Sequence, residues 1–415
     1  MAWDVACLGI SGLKVDLLHG HILQYRGKST YKACKVKAPA LKDQIIQSLR
    51  QQGFSVRNGN VHPPTGLTKD KIRKLHETAV LHRRGEAKSG LHKQETRLLA
   101  RIASGKDVIP SKIKPRLVEV LRGTDDELLF RYASLHWSIP VSSGYGRRLR
   151  FLVIDESNEK LIGLIGLGDP VFSLKPRDNW IEWDSQTRRN NLKYIMDAFV
   201  LGAVPPYSFL LCGKLVAMLA ASNEVRDAFR KKYQGSESLI KRQPYDGRLA
   251  MITTTSALGR SSVYNRLKYD GRLLYHRAGF TRGSGEFHFT NGLYKAITAF
   301  AVKHCIPTAK QESWGTGFRN RREIIKKCLP AVGLSPEWLY HGIEREVFLV
   351  PLAGNCNEFL CGKHVRLCGY DLPVSEIYHH FRERWLIPKS FRDDRYKAWR
   401  PDEWVLWPTE ERNDG

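Results

Sequence analysis

The clearest pattern of apolar and polar positions lies in residues 147–168, where two apolar runs flank the polar tetrapeptide ESNE at 156–159. Two such runs joined by a short polar turn predict a β-hairpin. Apolar residues fill both alternating sets of positions in the first strand, and the return strand 161–167 is apolar throughout. Strands of this kind are typical of inner positions in a sheet that is covered on both faces. We therefore expect this hairpin to be the centre of the fold.

The return strand contains three glycines, at positions 163, 166 and 168. Glycine weakens a strand, so these residues predict a bulge or a close approach of another backbone. Elsewhere, helical spacing of apolar residues predicts helices over 41–53, 68–86, 93–102, 125–139, 208–234, 291–305 and 315–330. Thr68 is placed to cap the second of these, and apolar runs predict strands at 197–206 and 249–257. We expect residues 273–279 to form a short helix that turns at Gly279 into a further strand.

This order of elements predicts an α/β (mixed α+β) fold with a central mixed sheet built on the hairpin. A length of 415 residues favours two or three domains. We expect a basic, mainly helical N-terminal region (1–125), an α/β core domain (126–290) and a basic, aromatic-rich C-terminal region (291–415). Residues 1–40 are weakly patterned and predict a short hairpin or a mobile arm.

The net charge of the chain is the feature of its composition that says most about function. The chain has 67 Lys and Arg against 42 Asp and Glu, a net charge of +25. A cation of this size points to a polyanionic partner, of which nucleic acid is the commonest, whereas the alternative is generic solubility. No apolar run reaches the roughly 18 residues of a membrane span, and residues 1–17 lack the basic region and cleavage site expected of a secretory signal. Eight cysteines fit reduced thiols, so we expect a cytoplasmic protein.

Basic residues beside turns and aromatics are the candidate contacts to DNA or RNA, because arginine neutralises phosphate while aromatic rings stack on bases. The candidates are Arg147, Arg148 and Arg150 at the hairpin; Arg177, Trp180, Arg188 and Arg189 in RDNWIEWDSQTRRNN; Arg260, Arg266 and Lys268 after the 249–257 strand; and Arg319, Arg321 and Arg322 in the 315–330 helix. The tail 381–407 also interleaves arginines with aromatics, and its alternative role is a segment fixed to the core by tryptophans.

Two groups of residues raise the question of a metal. Asp178, Glu182 and Asp184 include an i,i+4 carboxylate pair that would suit a metal-dependent nuclease, although ion-paired turn residues above Trp180 and Trp183 are the alternative. A second group comprises Cys356, Cys361, His364 and Cys368, which would suit zinc but lack paired CxxC spacing, so buried or loop thiols are the alternative. We predict no metal and no cofactor.

The ordered motifs GYGRRLRFLVIDESNEKLIGLIGLGDPVF (144–172), RDNWIEWDSQTRRNNL (177–192) and VPPYSFLLCGKLVAMLA (204–220), with HPP and KDKIRKLH upstream, resemble the DruA family. The resemblance covers roughly residues 40–290. Members of that family are the first component of bacterial Druantia anti-phage systems. The resemblance implies a cytoplasmic defence component that acts with other proteins of its system, including a helicase-like subunit.

The order hairpin, strand, helix, strand also resembles the acetyltransferase fold known as GNAT. That resemblance implies a coenzyme A pyrophosphate at a helix N-terminus, and it places Tyr275 at the position of the general acid. The chain departs from the pattern at 206–213 (PYSFLLCG), where bulky residues replace the glycine-rich loop. The leading prediction is a nucleic-acid-binding component of an anti-phage defence system. The alternatives are a GNAT-like transferase or a metal-dependent nuclease acting on nucleic acid, and a purely structural subunit.

Overall fold

The computed structural model describes residues 38–142, 146–237, 244–289, 292–307, 314 and 318–408. The hairpin or arm expected within residues 1–40 lies almost entirely outside this part of the chain. The described helices of four or more residues in regular α conformation are α1 Ala38–Gln51, α2 Lys69–Leu91, α3 Glu95–Leu99, α4 Asp125–Ser134, α5 Lys175–Ile181, α6 Ser185–Asn191, α7 Cys212–Leu219, α8 Asn223–Tyr233, α9 Gly292–His304, α10 Phe318–Ala331, α11 Cys356–Leu360, α12 Val374–Phe381, α13 Ile387–Ser390 and α14 Arg395–Ala398.

The strands are β1 Ser55–Arg57, β2 Asn60–His62, β3 Pro115–Glu119, β4 Arg148–Asp155, β5 Lys160–Gly168, β6 Ile195–Ala203, β7 Met251–Thr255, β8 Lys268–Tyr269, β9 Arg272–Leu273, β10 His276–Phe280 and β11 Glu346–Pro351. Seven of them form one sheet in the order β10-β11-β7-β6-β5-β4-β3. Neighbours are antiparallel except β6 and β7, which run parallel. The predicted mixed α/β fold, built on the hairpin β4–β5, is confirmed.

Two of the three glycines of β5, Gly163 and Gly166, mark close approaches, as predicted. A Cβ atom at Gly163 would lie 2.4 Å from the carbonyl oxygen of Gly202 and 2.7 Å from Cγ2 of Val216. A Cβ atom at Gly166 would lie 2.6 Å from the ring of Phe199, and the pairing of β5 with β6 shifts register just after Gly166. Only glycine leaves room for both contacts, so β5 can pack tightly on each face of the sheet.

Hydrophobic clusters cover both faces of the sheet. On one face α7 packs on β5 and β6 and is buried nearly completely in a cluster that also contains Leu149, Phe151 and Val153 of β4. On the other face, a cluster draws Leu91, Leu152 and Trp399 together from all three predicted regions. The division of the chain into three domains at residues 125 and 290 stays a prediction.

Two of the predicted helices are wrong. The helix expected over 208–234 is two helices, because the buried Ser222 caps α8 by accepting a hydrogen bond from the Val225 N–H and ends the run of α7. The helix expected over 273–279 is mainly strand β10, in which His276 pairs with Leu349 and the register shifts before Gly279. Long-range pairing with β11 overrides the local pattern there.

The C-terminal tryptophans fix the tail to the core. Trp399, Trp404 and Trp407 are all buried in the cluster behind the hairpin. The carboxylate of Glu95 accepts hydrogen bonds from the Tyr132 hydroxyl (2.9 Å) and the Leu406 N–H (2.7 Å). The packing alternative for this part of the tail is therefore confirmed.

A cluster of buried histidines joins α2 to the C-terminal part of the fold. The rings of His76 and His341 lie 4.2 and 4.8 Å from that of Phe287, and the rings of His288 and His341 are 5.4 Å apart. Burial lowers the pKa of His76 to about 3, of His288 to about 4 and of His341 to about 2, with the nearby Arg345 charge adding to the shift at His76 and His341. All three rings are neutral at pH 7.

We expect this cluster to make the fold acid-sensitive. The folded-state pKa values lie below the ordinary 6.5, so the unfolded chain binds more protons and stability is lost as pH falls from about 6.5 towards 4. Each histidine contributes roughly 1.4 kcal/mol per pH unit in that window. Urea unfolding at pH 7.5 and pH 5 measures the loss. His76→Gln, which keeps an acceptor for Arg345, should reduce the loss by about 2 kcal/mol; an unchanged loss in the variant contradicts the prediction.

Candidate functional site

Arg147 directly precedes the first strand of the hairpin and is buried and bonded inside the protein. Its Nε donates to Oδ1 of Asp169 at 2.6 Å, and its two terminal nitrogens donate to the carbonyls of Lys193 and Ile195 at 2.6 and 3.0 Å. Its guanidinium also lies 4.9 Å from the centre of the Tyr245 ring. These contacts hold the start of β4 to the start of β6. Because the side chain of Arg147 is 7% exposed and its guanidinium nitrogens donate to groups inside the protein, we place Arg147 in the framework and not in a binding surface.

The next two candidate arginines line a cleft of about 530 Å³ between α2, α4, β4 and β6, which we call the basic cleft. Four arginines and two glutamates line it, together with aromatic rings. Its charged members are Arg83, Glu86, Glu127, Arg131, Arg148 and Arg150, and its aromatic members are Phe130, Trp137 and Phe199. The structure thus joins Arg148 and Arg150, which the sequence singled out, to residues that come from three other elements.

Charges inside the basic cleft are ordered by a central ion pair. Arg150 donates to Oε1 of Glu127 at 2.8 Å, and its guanidinium lies 5.6 Å from the Phe130 ring centre. Burial opposes ionisation of Glu127, but the N–H of Gly123 and the charge of Arg150 outweigh it and lower the pKa of that carboxyl. Glu127 is therefore an anion at neutral pH, and the pair presents an acceptor and a donor side by side.

The other three arginines of the cleft differ in their exposure to solvent. Arg131 on α4 and Arg148 on β4 are exposed. The backbone N–H and carbonyl of Arg148 both bond to the Tyr233 hydroxyl, at 2.8 and 2.7 Å, so this residue is held in place by α8. Arg83 is half-buried and donates to the Val141 carbonyl, and burial lowers its pKa. Arg131 and Arg148 therefore supply positive charge at the rim of the cleft.

The segment 177–189 is organised around one carboxylate. Asp178 accepts hydrogen bonds from Arg177 (2.7 Å), from the Trp183 indole (3.1 Å) and from Arg188 (3.1 Å). The ion-paired alternative is what the structure shows. Arg177 is completely buried, and Arg188 is mostly buried below the exposed Phe172, whose ring centre is 4.7 Å from its guanidinium.

The three carboxylates of this segment do not converge. Glu182 ends α5 in the left-handed region with φ 62°, and Asp184 caps α6 by accepting from the Thr187 N–H at 2.7 Å. Glu182 and Asp184 are both exposed, whereas Asp178 is held inside by its three partners. Among the described residues, no group of three or more His, Cys, Asp or Glu is placed to hold a metal ion. The Asp178–Glu182–Asp184 geometry expected for a nuclease is therefore absent from this segment.

The cysteine and histidine group is likewise dispersed. The thiols of Cys356 and Cys361 donate to the carbonyls of Ala250 (3.2 Å) and Ile181 (2.8 Å). Burial raises the pKa of Cys356 to about 12, so that thiol stays protonated. His364 and Cys368 are exposed in the loop that follows α11. The buried-or-loop alternative describes these four residues.

The remaining candidates lie in separate places. Arg189 is exposed on α6, and Trp180 is half-buried with its ring 6.1 Å from that of His276. Exposed positions between β7 and β9 hold three others, Arg260, Arg266 and Lys268. On α10, Arg321 lies 4.1 Å from the Tyr294 ring centre and Arg322 pairs with Glu286 at 3.1 Å, whereas the side chain of Arg319 is outside the described part. None of these residues lines the basic cleft.

Tyr275, the acid expected from the acetyltransferase resemblance, is buried just before β10 and not on a helix. Its hydroxyl donates to the Ala217 carbonyl at 2.7 Å, and its ring stacks on Tyr264 at 4.9 Å. Burial raises its pKa well above the usual value. A protonated, internally bonded phenol of this kind packs the core and does not line the basic cleft.

Sequence reasoning missed Phe130, Arg131, Trp137 and Phe199 as site residues. Phe199 lies in a predicted buried strand, and the other three belong to a predicted helix. The sequence therefore indicated only a role in secondary structure and packing for each of them. The glycine at position 166, which pairs with Arg150 across the hairpin, was the available signal, since it lets an aromatic ring pack closely on the sheet there.

Comparison with known proteins places this structure in a family. The family model described as Druantia protein DruA matches residues 66–362. The Druantia protein DruA of Escherichia coli (strain UMEA 4076-1) is 42% identical over 361 residues, which cover 87% of this chain and 89% of the relative. No solved structure matches the chain, so the acetyltransferase likeness stays a prediction. With a family model over most of its length and a relative of this similarity, the chain belongs to the DruA family of Druantia proteins.

Proposed function

We propose that this chain is the nucleic-acid-binding component of a Druantia anti-phage defence system, and that the basic cleft is where it contacts the nucleic acid. Family membership supports the defence role. The observation that carries the binding role is the meeting of Arg131, Arg148 and Arg150 with the aromatic rings of Phe130 and Phe199 in one cleft. A net charge of +25 supports the same conclusion, because it attracts polyanions over long range.

The two exposed arginines at the rim, Arg131 and Arg148, have the donors and the charge needed to bind phosphate. Arginine donates several hydrogen bonds in a fixed fork, which matches phosphate oxygens. Within the cleft, the Arg150–Glu127 pair holds its charges in place, whereas the rim arginines are exposed to solvent. Arg189, Arg260, Arg266 and Lys268 are exposed elsewhere and extend the proposed contact if the nucleic acid runs beyond the cleft.

A salt titration tests the proposal. We expect the purified full chain to bind fluorescent DNA or RNA of about 20 nucleotides, with affinity falling 10- to 100-fold between 50 and 200 mM salt, because two to four phosphates release their counterions on binding. Fluorescence anisotropy over a range of salt concentrations gives the slope. Bovine serum albumin, an acidic protein, serves as the negative control. Affinity that does not change with salt, or no binding at low salt, contradicts the proposal.

The enzyme alternatives have weaker support in the geometry. A transferase needs an accessible acid, and Tyr275 is buried and bonded to Ala217. A metal-dependent nuclease needs converging carboxylates, and Asp178 is instead bonded to Arg177, Trp183 and Arg188. We therefore propose binding and not catalysis at this site. Other proteins of the defence system, including a helicase-like subunit, are the proposed partners.

In the part of the chain that the structure describes, no helix has the length and apolar character needed to cross a membrane. A cytoplasmic location is proposed on the basis of the partner, since phage and host nucleic acids are there.

A further inference from the structure

We propose that the basic cleft receives one unpaired base of the bound nucleic acid, and that the chain therefore prefers single-stranded to duplex regions. This inference rests on the proposed function and deepens it. Three observations support it: two aromatic rings of the cleft that pack on the sheet, the volume of the cleft, and the Arg150–Glu127 ion pair inside it.

Two aromatic rings of the cleft are held by glycines on the sheet. Phe199 lies against Gly166, where an added Cβ would be 2.6 Å from the ring, and Trp137 lies against Gly202, where an added Cβ would be 2.7 Å from the ring. Each ring is half-buried, and both line the cleft. Glycine at these two positions lets the rings pack on the backbone of β5 and β6. Rings fixed in this way lose little conformational entropy when a flat ligand stacks on them.

The size of the cleft suits one nucleotide. Its volume of about 530 Å³ lies within the range typical of sites for small molecules and cofactors. A base inside a duplex is stacked on its neighbours and does not offer its face to a protein ring. A base in a single strand does, and stacking on aromatic side chains is the usual way in which proteins hold it. The cleft therefore fits a single strand or a base turned out of a duplex.

The ion pair in the cleft matches the polar edge of a base. Glu127 is an acceptor and Arg150 is a donor, 2.8 Å apart. Base edges carry both donors and acceptors, and carboxylate and guanidinium groups recognise them. Arg131 and Arg148 at the rim would then lie beside the adjoining phosphates. An apolar peptide would cover this half-buried pair without offering it any further hydrogen bond, so a nucleic acid is the better occupant.

Photo-crosslinking of the full chain tests the inference directly. The probe is a 20-nucleotide single strand with one central 5-iodouracil, and the comparison is the same strand annealed to its complement. We expect about tenfold tighter binding of the single strand, and a cross-link that mass spectrometry maps to Phe130, Trp137 or Phe199. Since this uses the unaltered chain, it does not depend on a variant that folds.

A pair of matched variants provides the second measurement. Phe199→Leu removes a ring from the cleft and should weaken single-strand binding about tenfold with an unchanged salt slope, because no charge is altered. Phe391→Leu removes a ring that is 85% exposed and lies outside the cleft, and should leave binding unchanged. Equal affinities for single strand and duplex, with cross-links outside the cleft, overturn this inference while salt-dependent binding still supports the proposed function. Absence of any salt-dependent binding overturns both.

Discussion

Replacing Arg177 by methionine is expected to lower the free energy of unfolding by about 3–5 kcal/mol, because one member of a buried ion pair is removed. Arg177 has no exposed surface. Its guanidinium pairs with Asp178 at 2.7 Å and donates to the carbonyls of Val171 and Phe172, both at 2.9 Å. Methionine has a similar length but no donors. The variant therefore leaves Asp178 with less compensation and the loop 169–174 without its two hydrogen bonds.

Urea unfolding at pH 7 measures this effect, with Arg73→Met as the matched control. Arg73 also pairs with an aspartate, Asp70, but the side chains of this pair are 45% and 88% exposed. An exposed pair contributes about 0–1 kcal/mol. If Arg177→Met lowers the free energy of unfolding as little as Arg73→Met does, the buried Arg177–Asp178 pair does not stabilise the segment 177–189 to the expected extent. The same measurement tests whether Arg177 belongs to the framework or is free to bind nucleic acid.

Reversing both rim charges of the basic cleft should have the largest effect on binding. We expect Arg131→Glu with Arg148→Glu to weaken nucleic-acid affinity about 100-fold at 150 mM salt and to reduce the magnitude of the salt slope by about two, because each arginine neutralises one phosphate. Both residues are exposed and the backbone of Arg148 is held by Tyr233, so we expect the fold to tolerate the changes. Anisotropy measurements across a salt series give both quantities.

The matched control for this pair is Lys363→Glu with Arg366→Glu. Both residues are exposed in the loop after α11 and line no part of the cleft, while the change in net charge is the same. If the two double variants lose equal affinity, the effect comes from overall charge and the cleft is not the binding site. A selective loss in the Arg131 and Arg148 variant locates the contact.

Local signals were reliable where a few neighbouring residues decide the conformation. Thr68 caps α2 as predicted, by accepting from the Lys71 N–H, although α2 continues to Leu91 and not only to residue 86. Burial of the hairpin on both faces followed from its unbroken apolar runs. In contrast, the strand β10 has a sequence that also suits a helix, and only its partner β11, about 70 residues later, decides between them.

Side-chain environments were the least predictable feature. Arg147, Arg177 and Arg188 resemble other arginines in the sequence, yet the first two are buried, the third is mostly buried, and each is paired with an aspartate. Arg148 and Arg131 are exposed. Whether an arginine supports the fold or faces a ligand depends on which carboxylates and carbonyls the tertiary structure brings to it, and the spacing of charges along the chain does not contain that information.

The sequence by itself determined the fold class, the central hairpin, the close approaches at its glycines, the basic character and the resemblance to the DruA family. These properties depend on local periodicity, on the conformational freedom of glycine and on summed charge, all of which can be read along the chain. Only the tertiary structure decided that Arg131, Arg148 and Arg150 meet Trp137 and Phe199 in one cleft. That cleft is formed by four elements separated by up to about 120 residues, and their proximity results from sheet pairing and core packing and not from any local pattern.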